Sequence, residues 1–416
     1  MKIAIYGTSR SGKDYLIEHA SNHLISLGLS VSHLKGSLLL NQMAEESCGV
    51  KFSKLAEDQK YELRKRFVDL VNEANESNDI VFVDGHYSFP EGGDFKVVFT
   101  DADRDCYDHF FYMDTKSEFI REISRKSEGE KQNLEITVEG IDCWKSFEKG
   151  AMSKVCDLLG KELIILDEDT TSCIEFIASW VLSFDKLYNF EKLAKSAIDS
   201  VLLDRSGVPK SALVIDCDNT LSMNDTTFVL CQELGIDKQQ LKEIYLGDRY
   251  TSYQFFKVNR MLGVFSPKEL KRASQKACDR IEIARQVVDL VKSDKHELTL
   301  ALTSGLLEIW SQKLVNELQV DCSLGNSVMD SRLIVTPAFK KAIVMALKSK
   351  GIRVTALGDS IIDIPMLEAS DLGLLVAHSK LNKAVCAYLK QSESSNLQQV
   401  FSTVHKYSIH QVNWSN

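Results

Sequence analysis

A chain of 416 residues, 44% hydrophobic and 26% charged, is too long for one ordinary core and suits two domains. Its formal charge of −9 argues against a broad nucleic-acid surface, which needs clustered Lys and Arg, without excluding a local basic pocket. Five prolines leave little room for a Pro-rich arm. The 10 cysteines form no CxxC pair and the 9 histidines no HxH or HExxH spacing, so neither a disulfide framework nor a transition-metal motif is indicated. The amino terminus, MKIAIYG, reads as a strand entering a loop, and no apolar run approaches the ~20 residues of a membrane span. A cytoplasmic protein without a membrane partner is expected.

In chain order, Lys2 to Tyr6 read as a short buried strand, followed by GTSRSGKD and an apolar-periodic helix through Leu16, Ile17, Ala20 and Leu24. Strand, Gly-rich loop and helix are the context that gives GxxxxGK its meaning. Gly7 and Gly12 let successive N–H groups of the loop, Ser11 among them, point inward, and Lys13 reaches the β and γ phosphates of a nucleotide. Asp14 stands where most such loops carry a Mg²⁺-holding Ser or Thr, and its carboxylate can bind that metal directly or through water. The SGKDY form resembles the phosphate loops of phage deoxynucleoside monophosphate kinases and animal phosphomevalonate kinases. That resemblance implies an ATP-dependent small-substrate kinase.

Val31 to Leu34 is a second strand, and Phe52 to Ala74 a long helical region carrying Arg64 and Arg66, either an acceptor-phosphate ligand or solvated helix-face charge. DIVFVDGHY places Asp84 at the end of a buried strand, Ile80 to Val83, where it orders metal-bound water or serves as general base; the role of His86 stays open. HFFYMDT is a further strand, ending in Asp114. The helix after it carries Arg121, Arg125 and Lys126 before a polar break, Ser127 to Asn133. This has the look of a kinase lid, with Arg125 the leading phosphate contact and Arg121 the second choice. A helix from Ile141 to Leu159 and a strand, Glu162 to Asp167, follow. Resemblance to P-loop kinases of the nucleoside-monophosphate-kinase class covers roughly Met1 to Leu187.

Ser172 to Leu203 is helical in pattern, and DRSGVPKS, Asp204 to Ser211, is the best break in the chain. The apolar run that follows, LVIDCDNTL (Leu213 to Leu221), ends in Asp216 and Asp218. Charge at a buried strand end is costly unless a cation or substrate offsets it, and ligands of open α/β sheets bind at such ends. An aspartate nucleophile needs a metal and a second acid to protonate the leaving oxygen. The first side chain and the next carbonyl but one can reach one cation.

The remaining parts occur downstream in order. LTLALTSG ends a strand in Thr303 and Ser304, hydroxyls suited to a phosphate oxygen; Lys340 and Lys341 open a helix; VTALGDSIIDIPML runs into Asp359, a metal ligand, with Asp363 supporting it. Together these resemble the haloacid-dehalogenase-like phosphatases over roughly Ala212 to Ala377, with phosphoserine phosphatase the most similar subgroup. The spacing from Ser304 to Asp321 favours Ser304 over Thr303, and helix phase favours Lys340, since Ile343, Val344 and Leu347 then face inward. The resemblance implies Asp216 as nucleophile, Asp218 as acid and base, Ser304 and Lys340 as phosphate ligands, and Mg²⁺ on Asp216, Asp218 and Asp359.

Between Asp218 and Leu298, helical patterns at Asp237 to Leu246, Ser252 to Leu262 and Pro267 to Ala284 hold the place of a cap that encloses small substrates. Asp225 falls where phosphoserine phosphatases bind the substrate amine. Arg260 lies near, but out of register with, their carboxylate-binding arginine; Arg249 and Arg260 read equally as solvated charge.

The expected fold is therefore α/β: two three-layer α/β/α domains with mainly parallel sheets. A P-loop kinase-like domain spans 1–187 and a helical linker 188–210. A Rossmann-like phosphatase domain spans 211–390, its cap at about 222–297, and a closing element and tail occupy 391–416. The expected function is bifunctional, ATP-dependent kinase plus Mg²⁺-dependent phosphomonoesterase, acting on a small phosphorylated metabolite or nucleotide. One rival is a polynucleotide 5′-kinase/3′-phosphatase, which shares this domain pairing but is disfavoured by the acidic balance and the large cap. Another is a phosphatase with a regulatory nucleotide-binding domain.

Overall fold

The computed structural model describes residues 1–127, 137–203, 205–246, 250–293, 296–316, 318, 320–327, 333–378, 383–390, 397–401 and 408–411. The chain is α/β and divides into two units, Met1–Leu182 and Ser183–Asn416. No helix among the described residues is long and apolar enough to cross a membrane.

The first unit is built on β1 (Lys2–Tyr6), β2 (Val31–Lys35), β3 (Ile80–Asp84), β6 (His109–Met113) and β7 (Leu163–Leu166), with a two-stranded hairpin of β4 (Ser88–Glu91) and β5 (Asp94–Val97) between β3 and β6. The order β2-β3-β1-β6-β7 is parallel throughout. Parallel strands need covering on both faces. The chain meets this with α1 (Lys13–Ser26), α2 (Gly36–Cys48), α3 (Glu57–Ser77), α4 (Asp101–Cys106), α5 (Ser117–Ser127), α6 (Val138–Leu159) and α7 (Thr170–Ser183). On one side Leu63, Phe67 and Val71 of α3 and Met152 and Cys156 of α6 share a buried cluster with Val81, Val83, Phe110 and Tyr112 of the strands. The β4–β5 hairpin is not anticipated from sequence, although Gly92 and Gly93, at φ 63° and 90°, are the turn residues such a hairpin calls for.

The second unit opens on α8 (Phe190–Leu203) and continues with β8 (Ser211–Asp216), five helices, β9 (Leu298–Leu306), α14 (Leu307–Asn316), β10 (Cys322–Asn326) and α15 (Pro337–Ser349). It closes with β11 (Arg353–Gly358), α16 (Ile364–Ala369), β12 (Leu372–Ala377), α17 (Lys383–Leu389), β13 (Leu397–Phe401) and β14 (Ser408–Gln411). The sheet order is β10-β9-β8-β11-β12-β13-β14, parallel except for the last pair. Among the described residues, the five α-helices between β8 and β9 are α9 (Thr226–Leu234), α10 (Lys238–Ile244), α11 (Ser252–Leu262), α12 (Pro267–Asp279) and α13 (Arg285–Ser293). They fall in the span expected for the cap, and share one apolar cluster with Leu213 and Ile215 of β8 and Trp310 of α14.

The 188–210 segment, read from sequence as a helical linker, holds α8, whose Ala194 and Ile198 are fully buried in the second unit's core with Phe339 and Ile343 of α15. Within 391–416, read from sequence as a closing helix or strand and a polar tail, β13 and β14 join the sheet.

Candidate functional site

In the second unit, β8 is buried along its whole length and delivers Asp216 to the carboxyl edge of the sheet. Beyond it the chain breaks away from the strand, with Asp218 at φ −70°, ψ 132° and Asn219 at φ 54°, a left-handed position that Asn tolerates better than most residues. The kink turns Asp218 from the line of Asp216. Its carboxylate accepts from Thr226 N at 2.7 Å and Thr303 Oγ1 at 3.3 Å.

Thr336 caps α15, accepting from Phe339 N at 3.1 Å, with Pro337 in the first turn. The apolar face of Phe339, Ile343, Val344 and Leu347 is buried against the sheet. That phase carries Lys340 inward and leaves Lys341 exposed, as the helix periodicity predicts. Lys340 Nζ donates to Asp216 Oδ1 at 2.6 Å and Asp363 Oδ1 at 2.7 Å, and its side chain is only 1% exposed. Burial disfavours the ammonium, yet Asp216 and Asp363 hold its pKa above the ordinary lysine value.

Asp363 is itself fixed by Ser360, whose N–H and Oγ donate at 3.1 and 2.9 Å, and by Asp359 N–H at 3.2 Å. Asp216, Asp359 and Asp363 present ligand oxygens within 4.8 Å of one another, and Thr220 Oγ1 lies 3.1 Å from Asp216 and 3.2 Å from Asp359. Asp216 and Asp363 are buried and Asp359 half-buried, and the three carboxyl groups gather around one ammonium, more acid than Lys340 alone can balance. Burial and the neighbouring Asp363 push Asp216 up to about 8, and burial with the same neighbour raises Asp359 well above its usual range. A divalent cation fits that surplus charge. Asp218 also rises, mainly through burial. Its side chain stands outside the trio, so the ligand expected from this residue is its main-chain carbonyl; Asp363 joins the trio instead.

On β9, whose Leu302 pairs with Asp216, Thr303 is committed to Asp218 while Ser304 Oγ is buried with no hydrogen-bond partner. An orphaned buried hydroxyl is costly unless a ligand completes it. Asn326, at the end of β10, donates to Ser304 O and accepts from Val335 N at 2.6 Å, holding the turn that presents Ser304. Sequence reasoning passed over Asn326, although its place at a strand end beside this edge was a usable signal.

Asp225 and Arg260 belong to the span between β8 and β9. Asp225 caps α9, its Oδ1 accepting from Thr227 N at 2.9 Å and Phe228 N at 3.2 Å, while burial and the nearby Asp218 push it up to about 7. Arg260 is exposed on α11, and three positions earlier Lys257 is buried with Nζ 4.5 Å from the centre of the Tyr253 ring. The helix phase thus turns Lys257, not Arg260, inward. Arg249 lies outside the described residues.

In the first unit the loop after β1 has the backbone its glycines permit, with Gly7 at φ 150° and Gly12 at φ 91°. A Cβ on Gly7 would sit 2.9 Å from Met113 O. Lys13 folds back over this loop and donates to Gly7 O at 2.7 Å and Thr8 O at 3.0 Å. Burial pushes its pKa down to about 8. Ser11 is buried inside the turn, and Asp14 is exposed in the first turn of α1.

At the end of β3, Asp84 accepts from Gly36 N at 3.0 Å and lies 3.6 Å from His33 Nε2. Burial opposes its charge, but His33 and the Gly36 N–H hold its pKa below the usual value. His86 is kept neutral, its pKa pushed down to about 3 by burial and by Lys13. Glu148, fully buried, accepts from Ser88 N, Ser88 Oγ and Tyr112 OH at 2.9, 3.0 and 2.9 Å. It ties the hairpin to α6 and was not visible from sequence.

Asp114 pairs with Lys145 at 2.7 Å and Lys149 at 2.5 Å, and Arg64 lies over the Phe52 ring. Arg125 is exposed in the last turn of α5, so the described residues do not bring it to the loop. The polar break beyond Ser127, through Asn133, lies outside the described residues.

No protein-family profile matches the chain, and no curated protein sequence matches it. Among solved structures it is similar to a phospho-aspartyl intermediate analogue of phosphoserine phosphatase, at 21% identity and TM-score 0.29, over 40% of this chain and 86% of that one. A haloacid-dehalogenase family hydrolase from Salmonella enterica serovar Typhi is similar at 20% identity and TM-score 0.31, over 47% of this chain and 73% of that one. Cytosolic 5′-nucleotidase IIIB bound to cytidine is similar at 12% identity and TM-score 0.30, over 50% of this chain and 86% of that one. At such identities and scores, the reading of the site rests on its own residues.

Proposed function

We propose that the second unit is a phosphomonoesterase of the haloacid-dehalogenase type, and that the first unit binds ATP and transfers its terminal phosphoryl group to a small acceptor. The observation that carries the phosphatase reading is the set of buried Asp216 and Asp363 and half-buried Asp359 around Lys340, with more acid than that ammonium balances. A bound Mg²⁺, held by Asp216 and Asp359 with Asp363 beside them, would neutralise charge on the phosphate oxygens.

Asp216 then attacks phosphorus, forming an aspartyl phosphate as the ester P–O bond breaks. Asp218, its pKa raised by burial, protonates the departing oxygen. It next accepts a proton from the water that opens the acyl phosphate and releases inorganic phosphate. Ser304 Oγ and the Lys340 ammonium hold phosphate oxygens. The cap span supports a small phosphorylated metabolite or nucleotide as substrate.

In the first unit the loop N–H groups and Lys13 would cradle the migrating phosphoryl group, and Asp84 would orient metal-bound water or the acceptor. Support for this half comes from the Gly7–Asp14 loop between β1 and α1, with Lys13 poised over it.

The test is a panel of phosphorylated metabolites and nucleotides presented to the purified chain with Mg²⁺, with and without ATP. Asp216→Asn should abolish phosphate release and leave binding of an ATP analogue intact; retained turnover would overturn the nucleophile. Lys13→Ala should remove ATP-dependent transfer alone, and an absence of any phosphorylated product from the native chain would overturn the kinase half.

A further inference from the structure

We propose that Trp310 is a positioning residue of the phosphatase reaction: its indole N–H, together with the Thr226 hydroxyl, closes onto the Asp218 carboxylate and holds it aimed at the leaving oxygen. The proposal rests on the reading of Asp218 as acid and base given above, while the contact itself requires only the three side chains.

Trp310 is the fourth residue of α14, the helix that follows the Thr303–Ser304 end of β9. It is fully buried, in the apolar cluster that also holds Ile215 of β8, Leu230 of α9 and Leu270 of α12. That packing uses the size of the ring and makes no use of its nitrogen. Nε1 is shielded from solvent without a hydrogen bond, and so is Thr226 Oγ1, on a fully buried side chain at the start of α9. The acceptor that both face is Asp218, across a contact short of a formed hydrogen bond.

Asp218 already takes one donor on each oxygen, Thr226 N at 2.7 Å on Oδ1 and Thr303 Oγ1 at 3.3 Å on Oδ2. Gly305 leaves the second oxygen its room, since a Cβ there would sit 2.9 Å from Oδ2. Two further buried donors without partners are costly unless a later state completes them. The hydrogen bonds of a catalytic acid are often long in the free enzyme and tighten once substrate is bound. Thr226 comes from α9, Thr303 from β9 and Trp310 from α14, so donors on three elements fix both the place and the plane of the carboxylate.

The experiment compares two phosphomonoesters on the full-length chain with Mg²⁺. In 4-nitrophenyl phosphate the aryl oxide departs with little need of a proton; in glycerol 2-phosphate the alkoxide must be protonated as it leaves. Trp310→Phe keeps an aromatic ring and removes the N–H. It should raise the ratio of aryl to alkyl kcat/KM by about tenfold or more, because proton delivery serves the alkyl leaving group. Thr226→Val, which keeps the shape and the backbone N–H, should raise the same ratio, and it serves alone if Trp310→Phe does not fold, as judged by circular dichroism. An unchanged ratio, whether both rates fall together or neither falls, overturns the proposal. The contact is read in parallel, without turnover, from the indole N–H resonances of the chain labelled with ¹⁵N-tryptophan. The resonance absent from Trp310→Phe should shift in Asp218→Ala. If the native chain cleaves no ester of the panel above, the phosphatase reading falls and that resonance alone decides the contact: a position unmoved by Asp218→Ala overturns it.

Discussion

Lys340 Nζ lies 2.6 Å from Asp216 Oδ1, at the end of a helix–strand pair separated by 124 residues of sequence. The same ammonium reaches Asp363 at 2.7 Å, so one charge holds two carboxylates that would otherwise repel. Replacing it with an apolar residue leaves buried charge unpaired, which costs about 3–5 kcal/mol. Lys340→Met should therefore lower the unfolding free energy of the second unit by that amount, read as the shift of its urea midpoint multiplied by the m-value. The double variant Asp216→Asn/Lys340→Met should be less destabilised than the sum of the singles, because the two residues are coupled. Strict additivity in denaturant titrations would show that the pair is not the stabilising contact.

Ser304 and Thr303 are adjacent hydroxyls with opposite circumstances. Thr303 Oγ1 is 3.3 Å from Asp218 and accepts from Gly305 N at 3.1 Å, while Ser304 Oγ is buried without a partner. Ser304→Ala should leave the melting temperature unchanged or raise it, since an unsatisfied group is removed, and should lower kcat/KM for a phosphomonoester by about tenfold or more. Thr303→Ala should lower stability by about 1 kcal/mol and disturb the pH profile through Asp218. The reverse pattern would assign the phosphate hydroxyl to Thr303.

Strand ends were the legible part of this molecule. Asp84, Asp216 and Asp359 each stand out as an acid at or just after the carboxyl end of an apolar run, and each occupies that place in a parallel sheet. Lys340 was legible for the same kind of reason, because helix phase alone turns it inward. The residues passed over owe their roles to pairings that no local pattern encodes. His33 reads as an unremarkable polar strand position until β2 pairs with β3 and puts it beside Asp84. Asn326 matters through a bond to Ser304, 22 residues away, and Glu148 through Ser88, 60 residues away. Arg260, out of register from the start and open to a reading as solvated charge, is exposed on α11, where helix phase buries Lys257 instead.

The first unit should lose stability in mild acid through one histidine. His109 packs edge-on against Trp180, ring centres 5.3 Å apart, and burial pushes its pKa down to about 4. In the unfolded chain it titrates near 6.5, so between pH 6.5 and 4 the unfolded state binds a proton that the folded state refuses. Stability is thus present above about 6.5 and falls as pH drops toward 4, by up to about 3 kcal/mol at 1.4 kcal/mol per pH unit. Thermal melts across that window should show this slope for the native chain and a shallower one for His109→Gln. An equal slope in both would place the acid sensitivity elsewhere.

Gly358 is where backbone and site approach most closely. A Cβ there would lie 2.4 Å from Asp363 Cβ and 2.5 Å from its Cγ, far inside contact distance. Asp363 cannot yield cheaply, because it is held by Lys340, Ser360 and the Asp359 N–H. Gly358→Ala must therefore push Asp363 out of the bond to Lys340 or shift the Asp359 turn, and either displacement spoils the carboxylate trio proposed to hold Mg²⁺. Expected results are a loss of at least tenfold in Mg²⁺ affinity and phosphatase kcat/KM, measured by calorimetry and by phosphate release, with the first unit's nucleotide binding unaffected. Gly351 offers the control. It sits at φ 77° with nothing near its Cβ position, so Gly351→Ala should cost about 1 kcal/mol of stability through backbone strain and leave Mg²⁺ affinity unchanged. Equal losses from the two substitutions would mean that glycine conformation, and not the crowding of Asp363, governs the site.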